Sequence, residues 1–106
     1  RPDGEGADQP PFDALKSQAA TLGLTSHYLP IVPGQISEDQ IAEFADMVAN
    51  SPGPIFAYCR SGLRATALWA LHRAQTGQSV DESLAAAKSA GHDLTALVPR
   101  LSAAAL

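Results

Sequence analysis

The chain has 106 residues, 45% of them hydrophobic and 17% charged, which suffices for one small core and is too short for two ordinary domains. A net charge of −4, with seven scattered Lys and Arg, argues against a face built to bind nucleic acid. The single cysteine excludes an internal disulfide, and no apolar run approaches the roughly 20 residues that span a bilayer.

Residues 1–10 are polar and rich in Pro and Gly, so they read as a loop. Pro10 and Pro11 suit a helix entry, and Phe12, Leu15, Ala19 and Leu22 recur at three- and four-residue steps. This spacing predicts a helix over 11–22, stopped by Gly23 in a left-handed conformation. The segment from Ser26 to Val32 reads as a strand held near a sheet edge or end by Pro30. Ser37 and Gln40 then form a capping-box pattern, with Ile36 and Ile41 placed as a hydrophobic staple. Ile41, Phe44, Ala45 and Val48 line the face of the helix they start.

After the S-P-G-P turn at 51–54, Ile55 to Tyr58 reads as a short buried parallel strand. Strand, helix and strand in that order predict a right-handed crossover. Leu63, Ala67, Ala70, Leu71 and Ala74 give a helical stripe ending near Gly77. Ser79 and Glu82 repeat the capping-box pattern ahead of Val80, Leu84 and Ala87, and Gly91 is the stop. From Asp93 the period of Leu94, Leu97, Val98 and Leu101 predicts helix with a break at Pro99. The Ala-rich tail, 102–106, reads as a frayed end. Two strands alone make a marginal sheet. The expectation is therefore a single α/β domain over 1–106, with a short parallel sheet under helices, an all-helical C-terminal part, and further N-terminal strands preceding Arg1.

The chemistry concentrates in Y-C-R-S-G-L-R, residues 58–64, where the predicted strand hands over to a helix. Backbone N–H groups of a short loop entering a helix N-terminus converge on one point, and the helix dipole adds positive potential there. Both effects favour a thiolate at Cys59. Arg64 supplies a planar fork for an oxyanion, and Gly62 lets the loop turn tightly. Arg60, Ser61, Gly62 and Leu63 are the remaining anion-binding positions. Arg60 either recruits an anion from solvent or forms a surface ion pair. Ser61 either donates to the sulfur or braces its own backbone. His27, His72 and His92 lack ligand spacing, so neither a metal site nor any other cofactor is expected. Trp69 and Phe44 read as core or interface side chains.

The segment C-R-S-G-L-R resembles the active-site loop of rhodaneses. The surrounding order, a strand ending in Y-L-P-I-V-P-G, a helix, a short strand, the Cys loop and a helical tail, is similar to cysteine-dependent phosphatases of the tyrosine-phosphatase type. Taken with R-P-D-G-E at 1–5 and A-L-W-A-L after the loop, it looks like the phosphatase-like domain of bacterial beta-lactamase hydrolase-like proteins, a family also described as sulfur transferases. The likeness departs from tyrosine phosphatases in three ways. Those enzymes place five residues between Cys and Arg, and this chain has four. They carry His before the Cys and Ser or Thr after the Arg, where Tyr58 and Ala65 stand. They also carry an acid after the first strand, where Pro33 and Gly34 stand. Asp39 or Asp3, or Glu5, are the carboxylates that could substitute, each with an ordinary reading as a first-turn or loop acid.

The resemblance and the tight loop together predict a cysteine-dependent sulfurtransferase. Cys59 would take a sulfane sulfur from thiosulfate or a persulfide and pass it to an acceptor thiol, a reaction that needs no general acid. The alternative is a phosphatase working through a phosphocysteine, and a third reading is a non-catalytic anion-binding, thiol-binding or redox-sensing module. Partners expected on this basis are a small anionic substrate, a thiol acceptor and a fused or partner enzyme of sulfur metabolism, with room for a homo-oligomer and with neither nucleic acid nor membrane. A free thiol and a start without a signal-peptide core favour the cytoplasm.

Overall fold

The computed structural model describes residues 1–104, whose regular elements are helices. The first, α1 (Phe12–Thr21), has no cap at Pro11 itself. Asp3 supplies one from the N-terminal loop, its Oδ1 accepting from the Phe12 N–H at 2.9 Å. The helix α2 (Glu38–Ala49) starts with the full reciprocal capping box at Ser37 and Gln40. Next comes α3 (Leu63–Gln75), which starts directly after Gly62. In α4 (Val80–Ser89) the Ser79 hydroxyl accepts from the Glu82 N–H at 3.1 Å, without a return bond from the Glu82 side chain. The predicted second capping box is thus half formed. A 3₁₀ turn (Thr95–Leu97) leads into α5 (Val98–Ala104). Pro99 lies in the first turn of α5, where a missing N–H leaves no bond unmade, so it begins that helix rather than breaking it. Of the expected frayed tail, 102–104 are helical, and 105–106 lie outside the described residues.

The core forms around α3, which packs against α2, α4 and α5. Its Ala67, Ala70 and Ala74 let neighbouring helices approach closely, while Leu68 and Leu71 fill the space between them. Ile41 and Phe44 from α2, Ala87 from α4, and Leu94 and Leu101 close the cluster. Ser83 is also fully buried, and its hydroxyl is satisfied by Gln78 Nε2 at 3.0 Å. By contrast, the apolar stripe predicted for α1 buries none of its residues. Its Phe12, Leu15 and Ala19 are half-buried, and the Phe12 ring stacks on Tyr28 at 4.8 Å.

The predicted parallel sheet is not formed: among the described residues there is no strand, and the α/β expectation gives way to an all-helical chain joined by extended segments. The hydrogen-bonding groups of 26–32 explain why. Pro30 has no N–H to donate, its carbonyl accepts from Gln40 Nε2 at 3.1 Å, and the Ile31 carbonyl accepts from Arg64 Nη1 at 2.7 Å. These side chains take acceptors a ladder would need. The second segment, Ile55 to Tyr58, is exposed rather than buried, with Phe56 at 88%. What holds the first segment in place is Ile31, which is 4% exposed and belongs to the core. No described helix is long and apolar enough to cross a membrane.

Candidate active site

Gly62 makes the site possible. It caps α3 with φ +95°, in the left-handed region open to glycine, and so turns the loop sharply back onto Cys59. A side chain there would also collide, because a Cβ would stand 2.9 Å from His92 Nε2. Thr66 braces the turn from inside the helix, donating from both its N–H (2.9 Å) and its hydroxyl (2.7 Å) to the Gly62 carbonyl. With this geometry the Gly62 N–H points at Cys59 Sγ, 3.1 Å away.

The sulfur is half-buried at the positive end of a helix of thirteen residues. Burial alone would push the Cys59 thiol up. Hydrogen bonds from the backbone N–H groups of Ala65, Gly62, Arg64 and Ser61 outweigh it and bring the thiol below its ordinary value. Since the thiolate is the species alkylated, a lowered value moves reactivity to lower pH. The iodoacetamide rate of Cys59 is expected to reach its midpoint below about pH 8.5, the range of a free cysteine. A midpoint at or above that value, in a stopped-time alkylation series, would remove the thiolate from the argument.

Arg64 is held beside the sulfur by contacts from two distant segments. Its Nη1 donates to Glu5 Oε2 at 2.9 Å and to the Ile31 carbonyl at 2.7 Å, and its Nη2 donates to Glu5 Oε1 at 2.5 Å. The Glu5 carboxylate raises the guanidinium above its ordinary value, and the negative Cys59 sulfur adds to this against partial desolvation. In return Arg64, and then Arg1, hold the Glu5 carboxyl below the usual carboxylate range. Glu5 is therefore an anion that binds Arg64 and a poor proton donor.

The other predicted positions divide. Ser61 and Gly62 give backbone donors to the sulfur, and Leu63, 46% exposed, begins α3. Arg60 is exposed and forms no ion pair among the described residues, which leaves its side chain to solvent. Asp3 is committed to capping α1, and Asp39 sits exposed in the first turn of α2 with no hydrogen bond to the loop among the described residues. His72 packs edge-on against Phe44, with ring centroids 5.5 Å apart, and burial holds its pKa below the ordinary value.

Sequence reasoning named Glu5 as a substitute acid and His92 as a histidine without ligand spacing, and missed the place each takes here. Glu5 lies 59 positions from Arg64 in the chain, and no local spacing marks the pair. His92 reaches Gly62 only because α4 folds back over α3; its sole sequence signal is the Gly91 stop that turns the chain beneath it.

Comparison with known proteins adds a family to this geometry. Residues 1–77 match the family model described as the beta-lactamase hydrolase-like protein, phosphatase-like domain. A beta-lactamase hydrolase-like protein of Xylella fastidiosa (strain Temecula1) is 36% identical over 95 residues, covering 89% of this chain and 22% of the relative. One of Agrobacterium fabrum (strain C58) is 37% identical over 78 residues, covering 74% of this chain and 18% of the relative. The chain thus spans about a fifth of the length of these relatives. Among solved structures, a candidate phosphatase of Neisseria meningitidis Z2491 superposes with a TM-score of 0.87 at 34% identity, covering 98% of this chain and 74% of that one.

Proposed function

This chain belongs to the family of beta-lactamase hydrolase-like protein phosphatase-like domains, and from that premise we propose that it is a cysteine-dependent phosphatase acting on phosphomonoesters. The observation that carries the reading is the Cys59 sulfur facing the backbone N–H groups of Ser61, Gly62, Arg64 and Ala65, with the Arg64 guanidinium fixed beside it. The same donors that favour a thiolate suit a phosphoryl group, whose negative charge lies on oxygens around a centre within reach of the sulfur. Phosphatase, rather than sulfurtransferase, is also the description attached to the matching family model and the solved neighbour.

In the first step the Cys59 thiolate attacks phosphorus. An S–P bond forms, the P–O bond to the leaving group breaks, and the alcohol leaves as its oxyanion or takes a proton from water. In the second step water attacks phosphorus, the S–P bond breaks, inorganic phosphate departs, and the thiolate is regenerated. Arg64 and the loop amides hold the phosphoryl oxygens through both steps. With Asp3 tied to α1 and Glu5 tied to Arg64, neither carboxylate supports a strong general-acid role. Aryl phosphates, whose phenoxides leave readily without a proton, are the favoured class.

The direct test is release of p-nitrophenol and phosphate from p-nitrophenyl phosphate by the purified chain, with sustained turnover expected. Sulfur transfer keeps support from the loop alone, because four residues between Cys59 and Arg64 make a tighter ring than five. Thiosulfate separates the two chemistries. A cyanide-removable gain of one sulfur on Cys59, without turnover of the aryl phosphate, would overturn the phosphatase reading.

A further inference from the structure

We propose that Glu5 is a positioning residue: with the Ile31 carbonyl it clamps Arg64 so that one edge of the guanidinium, Nε with Nη2, is the edge offered to a tetrahedral oxyanion at the Cys59 loop. The proposal rests on the phosphatase reading and follows from counting donors. A guanidinium carries five N–H groups: two on Nη1, two on Nη2 and one on Nε. Nη1 commits its pair to Glu5 Oε2 and the Ile31 carbonyl, and Nη2 commits one to Glu5 Oε1. Among the described residues, the Nε–H and the second Nη2–H are the donors not taken up by oxygen acceptors, and they lie on one edge. Two parallel N–H groups on one edge are the geometry that binds two oxygens of a phosphoryl group at once. Glu5 therefore does not compete for that edge; it blocks the other one.

The clamp is built rather than incidental. Its side chains are largely covered, 11% exposed for Arg64 and 23% for Glu5. The loop that carries Glu5 is tied down at several points. Its Asp3 N–H donates to Tyr28 Oη at 2.8 Å, Asp3 Oδ1 caps α1, Gln9 Nε2 donates to the Pro2 carbonyl at 2.9 Å, and Tyr28 stacks on Phe12. The packing of α1 against Tyr28 thus serves to hold a carboxylate at the site, even though α1 adds nothing to the buried core.

The test reads binding apart from turnover. Tungstate, a tetrahedral oxyanion, should protect Cys59 from iodoacetamide. In Glu5→Gln the tungstate concentration for half-protection is expected to rise about tenfold or more, because the guanidinium loses its charged fork and its fixed orientation. The pH midpoint of alkylation is expected to stay within a few tenths of the wild type, since backbone N–H groups set it. Glu5→Asp, which keeps both acceptor oxygens, should fall between the two. Unchanged half-protection in Glu5→Gln overturns the proposal. So does weakened protection together with a shifted midpoint, which marks a collapsed loop instead of a freed arginine. Protection without turnover of aryl phosphate in the wild type would count against the phosphatase reading and leave the clamp standing.

Discussion

Cys59→Ser is expected to lower p-nitrophenyl phosphate hydrolysis by about 10³-fold or more. The substitution changes one atom, yet it removes the property the site is built around. The backbone N–H groups stabilise the thiolate and bring the thiol below its ordinary value. A serine hydroxyl in the same place keeps its proton, attacks phosphorus poorly and forms no phosphocysteine. Folding should be nearly unaffected, because Cys59 is half-buried and lies outside the core cluster. The measurement pairs steady-state phosphate release with a thermal melt. A folded Cys59→Ser protein that keeps more than about a tenth of the activity would falsify covalent catalysis at this sulfur.

Arg64→Lys is expected to reduce kcat/KM by about 10²-fold. This exchange keeps the positive charge and so isolates the value of the fork. A lysine ammonium is a compact point charge with three donors. It cannot meet both Glu5 oxygens, the Ile31 carbonyl and two phosphoryl oxygens, as five planar N–H groups can. The alkylation midpoint of Cys59 should move little, because backbone donors rather than the Arg64 side chain dominate there. A loss smaller than about threefold would mean that charge alone suffices and that two-pronged recognition is not part of the mechanism.

The distribution of legible and illegible features follows the range of the interactions behind them. Ser37 and Gln40 were readable as a reciprocal cap because the partners lie within one turn. Gly23 as a helix stop and Gly62 as a tight loop residue were readable because a left-handed backbone conformation is a local property. The strand reading of 26–32 and 55–58 failed for a different reason. A short apolar run says that a segment suits a sheet, not that partners exist to pair with it. The carbonyls of Pro30 and Ile31 instead meet Gln40 and Arg64, side chains that no strand pattern would enlist. The stripe of α1 is a partial case: Phe12, Leu15 and Ala19 are its half-buried residues, but none of them reaches the buried core.

The sequence by itself determined the cysteine loop and the helix that feeds it with N–H groups, because Cys59, Gly62 and the start of α3 interact over a few residues. Only the tertiary structure decided how Arg64 is aimed, which carboxylate holds it and that His92 closes over Gly62. Those contacts join positions tens of residues apart, and their geometry depends on how the N-terminal loop, α4 and the extended segment at Ile31 come to rest against the helix that follows the cysteine.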